Sequence, residues 1–367
     1  MVVGVLTTSY PRFAGDAAGC FVSDQVRRLV RDGATVQVIA AGDGPAGLTH
    51  TREDDGVAVT RIGTGAACPL FYGEGAPEAL ERGRLPAWIA AAHFSAALRR
   101  AAAAAAPGWD RIVSHWLVPC GWAALSAAPG LPHRGYAHSG DVALLERLPF
   151  GRQLAGQLAG AGADLVFVSR DLRARFAALL GRGGAAAPRV GQVEQLVPRE
   201  DLFPAASPAE RAAARARLGL SGPTVVAVGR LIPIKGFDLL VDAIGDLARL
   251  ILIGAGSEAA ALRARARRRS VSLSLPGVLP RAQLATWLAA ADLYVQPSRA
   301  LASGRTEGVP LATLEALAVG VPVIAARTGG LAELDGRVAF FEPGDAASLR
   351  RALSSALRPA TAGQPAC

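Results

Sequence analysis

Leu293-Tyr294-Val295-Gln296-Pro297, then Glu307-Gly308-Val309-Pro310-Leu311-Ala312-Thr313-Leu314-Glu315-Ala316-Leu317-Ala318, then Gly320-Val321-Pro322-Val323-Ile324-Ala325 read in turn as strand, loop and helix, strand. The apolar runs are continuous, as in strands covered on both faces. Working outward, strands are expected at Val2–Thr7, Thr35–Ala40, Arg111–Ser114, Leu165–Ser169, Thr224–Gly229 and Leu250–Gly254. Helical periodicity marks Val22–Arg31, Arg173–Leu180, Phe237–Leu247 and Ala259–Arg269. Such alternation builds parallel sheets with helices on both faces, an α/β class.

The chain has 367 residues, which suits two such domains. The break is expected near Val193–Pro223, where Pro198, Pro204, Pro208 and Pro223 gather around a polar helical stretch, Pro208–Leu218. That gives domains of residues 1–194 and 195–367. All five histidines and four of the five tryptophans precede the break, so the halves are chemically unlike. Open α/β sheets bind ligands beyond the carboxyl ends of their strands, so two facing domains are expected to enclose a cleft.

Apolar residues make 51% and charged residues 19%, a globular balance, and the formal net charge is +9. A basic chain suits an anionic partner: a phosphorylated substrate, an acidic membrane surface or nucleic acid. The arginines are dispersed apart from Arg263 to Arg269, read as a solvated helix face, and no aromatic-interleaved basic motif accompanies them. Nucleic acid is therefore not expected. Cys20, Cys68, Cys120 and Cys367 have no metal-site spacing and suggest no disulfide framework. Val2-Val3-Gly4-Val5-Leu6 reads as a first strand and not as a signal peptide. The alanine-rich stretch Trp88 to Ala106 is broken by His93, Arg99 and Arg100, which excludes a simple spanning helix. A cytoplasmic location is expected, with transient contact at the inner face of a membrane permitted by the charge.

Of the 39 basic residues 38 are arginine, and the single lysine is Lys235. A lone ammonium suits a place where a compact cation works and a planar fork does not. It lies in Val228-Gly229-Arg230-Leu231-Ile232-Pro233-Ile234-Lys235-Gly236, where a strand end carries Arg230 and Lys235 into a helix. Two cations there suit a leaving diphosphate without a metal ion. Pro310 suits the first position of a helix, and the free amides around Val309, Leu311 and Ala312 then make an anion site. Glu307 stands just outside that helix start and Glu315 about two turns inside it, on the order of 12 Å away, a spacing that lets them read hydroxyls on either side of a diphosphate.

Leu252-Ile253-Gly254-Ala255-Gly256-Ser257-Glu258-Ala259 matches the loose dinucleotide fingerprint, but the acid expected about twenty residues on is missing. It reads as a tight strand-to-helix turn passing near a ribose or base. In the first half, Gly15-Asp16-Ala17-Ala18-Gly19 lets backbone approach a ligand, and His115 and His138 each follow a strand. No D-x-D pair occurs, which counts against a metal-bridged donor.

These residues resemble the family-four retaining glycosyltransferases of the GT-B fold, the group 1 family. The matches are Gly229-Arg230-Leu231 with Lys235-Gly236, Gly254-Ala255-Gly256, Pro297-Ser298, Glu307 with seven residues before Glu315, and Gly329-Gly330-Leu331-Ala332-Glu333. In the N-terminal half they are Tyr10-Pro11, Gly15-Asp16 with Gly19, His115-Trp116 and His138-Ser139-Gly140-Asp141. The resemblance implies two Rossmann-like domains, the first for the acceptor and the second for a nucleoside-diphosphate-sugar donor. It implies transfer with retention by a front-face route, in which the leaving phosphate helps take the acceptor proton.

The same resemblance makes Arg230 and Lys235 the diphosphate ligands and puts Glu307 at the sugar and Glu315 at the ribose. His115 or His138 falls on the acceptor-domain side of the sugar. Gly15, Gly229, Gly254, Gly256, Val278, Gly308, Val309, Pro310 and Leu311 complete the implied donor contacts, and no cofactor or metal is implied. The acceptor is a glycan, a lipid-linked precursor or a secondary metabolite. The sequence leaves sugar, nucleobase and oligomeric state open. Two departures stand out. Gln195 to Phe203 is a distant version of the family's junction segment, and the chain stops soon after Leu349–Leu357, so interdomain closure is expected to be secured differently or by a partner subunit. The rival readings are a sugar-nucleotide epimerase of the same fold, a non-catalytic sugar-nucleotide-binding protein and, weakest, a nicotinamide oxidoreductase.

Overall fold

A computed structural model describes residues 1–52, 56–63, 65, 70–73, 75–181 and 190–358. Cys68 and Cys367 lie outside them. The chain forms two compact units, Met1–Leu196 and Val197–Cys367.

The N-terminal unit is built on an eight-stranded sheet. Its strands are β1 (Val2–Thr7), β2 (Thr35–Gly42), β3 (Gly47–Arg52), β4 (Ala58–Gly63), β5 (Arg111–His115), β6 (His133–Ala137), β7 (Asp164–Phe167) and β8 (Gln192–Val193). They lie in the order β3-β4-β2-β1-β5-β6-β7-β8, parallel except that β3 runs antiparallel to β4. Alternation along β1 divides the interior. Val3 and Val5 join Val22, Val26 and Val38 on one face, under α1 (Cys20–Arg31). Leu6 joins Phe94, Leu98, Trp109 and Ile112 on the other, under α3 (Leu85–Ala105); the short helix α2 (Ala76–Glu81) precedes it. Each such fully buried side chain is worth about 2 kcal/mol. Gly4 has no side chain because the Trp109 ring occupies the space its Cβ would fill.

Helices α4 (Trp122–Ala127), α5 (Gly140–Arg147), α6 (Gly151–Gly160) and α7 (Arg170–Leu179) follow in the N-terminal unit. In the C-terminal unit, α8 (Pro208–Arg217) opens on a capping box between Ser207 and Glu210. The six-stranded sheet then comprises β9 (Thr224–Val228), β10 (Arg249–Ile253), β11 (Leu273–Gly277), β12 (Leu293–Gln296), β13 (Val323–Ala326) and β14 (Ala339–Phe341), in the order β11-β10-β9-β12-β13-β14, all parallel. Val225, Ala227, Leu250 and Leu252 pack against α9 (Phe237–Ile244), α10 (Ala259–Arg268) and α13 (Ala346–Ala356). Val226, Ile251 and Ile253 face α11 (Arg281–Ala290) and α12 (Leu311–Val319). The helices implied by the 3.6-residue period are all present, and so is the strand-order reversal between β9 and β12, where such sheets bind ligands.

Several readings need correction. From the sequence, the Gly63–Trp88 stretch, rich in glycine and proline with Phe71, Tyr72 and Trp88, reads as a loop, either for the acceptor or an ordinary surface one; among its described residues it holds α2 and the first turn of α3. Pro77 and Pro86 sit in the opening turns of these helices, where a missing N–H costs nothing. Tyr72 within it is buried, its hydroxyl donating to the Ala41 carbonyl at 2.7 Å. The β3–β4 hairpin was not anticipated, since Gly47–Arg52 carries no apolar run. No helix among the described residues is long and apolar enough to cross a membrane.

Candidate active site

Lys235 owes its position to two glycines. Gly236 takes a left-handed φ of 66° and ends the short turn Pro233–Lys235; a Cβ there would overlap the Pro297 carbonyl. The turn therefore lies against the exit of β12, where the Arg299 amide donates to Ile234 O at 2.9 Å. Above the lysine stem, a Cβ on Gly229 would approach Lys235 Cε to 2.9 Å. So confined, Lys235 Nζ meets Glu307 Oε1 at 2.6 Å, with both side chains largely buried.

The other Glu307 oxygen accepts from the Ser298 hydroxyl. Gln296 Nε2 donates to Ser298 Oγ at 2.8 Å, and Tyr294 donates to Gln296 Oε1 at 2.8 Å. Tyr294, Gln296 and Ser298 alternate along β12 and its exit, so they share one face. Burial pushes the Tyr294 hydroxyl pKa upward, which keeps it a donor. The result is a polar chain running from the core to Glu307. Sequence reasoning assigned no role to Ser298, Gln296 or Tyr294. The available signal was polar residues at every second place in a buried strand.

The backbone beneath Glu307 is fixed by Gly329 and Gly330. The Gly330 amide donates to Glu307 O at 3.0 Å, and a Cβ on Gly330 would press into Gly308 at 2.6 Å. Pro310 is the N-cap of α12 rather than its first residue, and the first intrahelical bond runs from Thr313 N to Pro310 O at 3.0 Å. The amides of Leu311 and Ala312 precede that bond, as an anion site at a helix start requires. Gly308 and Val309 are buried and Leu311 is half-buried.

Glu315 is buried inside α12, where Arg281 donates to it at 2.6 Å while lying 5.2 Å over the Phe203 ring. Arg281 was not singled out by the sequence; it opens a different helix 34 residues earlier. Arg230 is half-buried on the Lys235 loop. Val278 is 56% exposed, just beyond β11. Gly254 and Gly256 form the tight strand-to-helix turn expected of them, and they make it by close backbone contact. Their Cα atoms lie against the backbones of Gly229 and Leu231, and Leu231 N donates to Ala255 O at 2.8 Å. Among the described residues no group of three or more His, Cys, Asp or Glu is placed to hold a metal ion.

In the N-terminal unit the structure brings His115 and His138 together, Nδ1 to Nε2, at 3.0 Å. His115 Nε2 lies 2.7 Å from Gln25 Oε1, which only accepts, so His115 carries its proton on Nε2 and His138 donates to His115 Nδ1. Tyr136 stacks on His115 at 5.1 Å. Burial, then the neighbouring His138, lowers the His115 pKa well below the usual histidine value, and loss of hydration pushes half-buried His138 down to about 3. The residues after each histidine, Trp116 (φ 68°) and Ser139 (φ 97°), have left-handed φ. Asp141 holds both turns, accepting from Leu117 N at 2.8 Å and His138 N at 3.0 Å. Strained backbone of this kind gathers at functional sites.

Gly15, with φ 88°, belongs to a separate loop clasped by Asp16, which accepts from Arg12 Nε at 2.6 Å and from Ala18 N at 3.1 Å. Burial works to raise the Asp16 pKa, but the Arg12 side chain and the backbone amides of Ala18 and Arg12 together outweigh it and hold the carboxyl below the ordinary range.

Comparison with known proteins agrees with this geometry. The family model described as "Glycosyl transferases group 1" matches residues 222–358. The GDP-mannose-dependent alpha-(1-6)-phosphatidylinositol monomannoside mannosyltransferase of Mycolicibacterium smegmatis is 37% identical over 192 residues, a match spanning 48% of either chain. D-inositol 3-phosphate glycosyltransferase 1 of Catenulispora acidiphila is 30% identical over 358 residues, covering 90% of this chain and 79% of the relative. Among solved structures, sucrose-phosphate synthase from Thermosynechococcus elongatus superposes with a TM-score of 0.72 at 22% identity, covering 97% of this chain and 89% of that one; the fold is the GT-B fold. On the breadth of the Catenulispora match and the family pattern across the C-terminal unit, the chain belongs to the group 1 glycosyl transferases.

Proposed function

We propose that this protein moves a hexose from a nucleoside-diphosphate sugar to an acceptor hydroxyl, with retention of anomeric configuration and without a divalent metal. The observation that carries the reading is the only lysine of the chain held at 2.6 Å from Glu307, between a strand exit and a helix start. An ammonium has three donors, so Lys235 can keep one on Glu307 and turn the others to phosphate oxygens. Arg230 on the same loop and the amides of Leu311 and Ala312 supply further positive charge, preorganised where the leaving diphosphate gains negative charge. Glu307, held at both oxygens, is oriented to accept from sugar hydroxyls, and Glu315 is assigned to the ribose.

The acceptor oxygen bonds to the anomeric carbon on the face that the diphosphate leaves, and its proton passes to a phosphate oxygen. His138, with a pKa near 3, is too weak a base for that proton; it is assigned to hydrogen bonding on the acceptor-binding unit. The mannosyltransferase relative supports a nucleoside-diphosphate donor.

The test is nucleotide release across UDP-, GDP-, ADP- and TDP-hexoses with an acceptor set, with and without chelator. Lys235→Ala and Glu307→Ala are each expected to lower turnover roughly 10²–10³-fold. Near-wild-type rates in both variants reject the site. Loss of turnover on chelation rejects metal independence, and an inverted product anomer rejects retention.

A further inference from the structure

Helix α3 turns Ala87, Ala90, Phe94, Leu98 and Ala102 into the core of the N-terminal unit. Its other side begins with Leu85, Trp88 and Ile89, which are 69%, 37% and 60% exposed. The i, i+3, i+4 spacing puts these three on one face. Nowhere else among the described residues do three exposed large apolar side chains share a single helical turn.

The exposed charged residues that lead into this face and continue it along the helix are arginines. Arg82 and Arg84 precede it and are exposed. Arg99 and Arg100, also exposed, continue the same stripe about 15 Å further along the axis. From Arg82 to Trp109 the sequence holds no aspartate or glutamate.

We propose that this face of α3 is a docking surface for a bilayer rich in anionic phospholipid, with Leu85, Trp88 and Ile89 entering the interface and the arginines meeting lipid phosphates. The pattern is that of an interfacial helix: an aromatic and two aliphatic side chains with basic residues on their flanks. A second copy of the chain fits less well. Pairing the stripe with itself brings arginines together with no acid to receive them, and three side chains cover far less than the ~800 Å² per partner of a stable interface. This surface does not depend on the donor site, so either assignment can fail without the other.

The experiment is co-sedimentation of the full chain with vesicles of phosphatidylcholine alone or mixed equally with phosphatidylglycerol. The chain is expected to pellet with the mixed vesicles, to stay in solution with phosphatidylcholine alone, and to be released by high salt. The triple variant Leu85→Ser, Trp88→Ser, Ile89→Ser and the charge variant Arg84→Glu, Arg99→Glu, Arg100→Glu should each bind at least about tenfold more weakly. Circular dichroism checks folding; if the triple variant unfolds, quenching of Trp88 by brominated lipid, compared between the wild type and Trp88→Phe, decides instead. Equal pelleting by wild type and folded triple variant, no pelleting with mixed vesicles, or a concentration-dependent dimer abolished by the triple variant each overturns the proposal.

Discussion

At the scale of single residues, Glu307 is held from two sides: Lys235 takes one oxygen and Ser298 the other. Removing the serine hydroxyl leaves the charge pair intact but frees the carboxylate to rotate. Ser298→Ala is therefore expected to lower kcat about tenfold while the donor KM stays within about twofold, and Ser298→Thr should restore most of the loss. A change in donor KM with unchanged kcat would instead mean that Ser298 acts in binding alone. Lys235→Arg should not rescue activity, because the stem runs beneath Gly229 with no room for a planar fork.

At the scale of elements, the glycines of the C-terminal unit are set by loop-to-loop contact. Gly254 closes the β10–α10 turn onto the Gly229 carbonyl, and its amide donates to Gly277 O at 2.9 Å. Gly254→Ala must push the two strand exits apart, so a loss of about 2–3 kcal/mol in stability is expected, read as a lower urea midpoint. The Lys235 loop moves with Gly229, so donor affinity should fall as well. Asp292, between α11 and β12, gathers Thr224 N at 2.8 Å, Arg211 at 2.7 Å and Arg215 at 2.8 Å, which fastens α8 to the sheet. Asp292→Ala leaves the buried Thr224 amide without its acceptor and Arg211 and Arg215 with carbonyl oxygens but no anionic partner, and should cost about 2 kcal/mol.

For the molecule as a whole, acid stability follows from where the histidines lie. His115, His133 and His138 are all in the N-terminal unit and all have depressed pKa values, about 4 for His133 and about 3 for His138, chiefly through burial. An unfolded chain takes up these protons near the ordinary value of 6.5 while the folded chain refuses them. Stability is thus fully present above about 6.5 and declines as pH falls below it, by about 1 kcal/mol or more for each of His133 and His138 near pH 5, with His115 acting in the same direction. The raised pKa of buried Asp141 acts in the opposite sense over the carboxylate range. Four of the five tryptophans, Trp88, Trp109, Trp116 and Trp122, lie in this unit, so their emission should show a lower urea midpoint at pH 5 than at pH 7, with a shallower difference in His138→Gln. An unchanged midpoint would show that these histidines are protonated in the folded chain.

The sequence by itself determined the α/β class, the central strands β2, β1, β5 and β7 of one sheet and β10, β9, β12 and β13 of the other, and the loops bearing Arg230, Lys235, Glu307 and Glu315, because apolar runs, helical periods and helix-start signals act over a few neighbouring residues. It did not determine the β3 hairpin, whose polar strand is held by pairing to β4, nor that the Gly254 and Gly256 backbones press on another loop. The Ser298–Glu307 bond, the Arg281–Glu315 pair and the Gln25–His115 contact, the last across 90 residues, were decided only by tertiary structure. The physical reason is range: a side chain's rotamer, charge and solvation depend on whatever the fold brings within about 3 Å, and no local pattern encodes that neighbour.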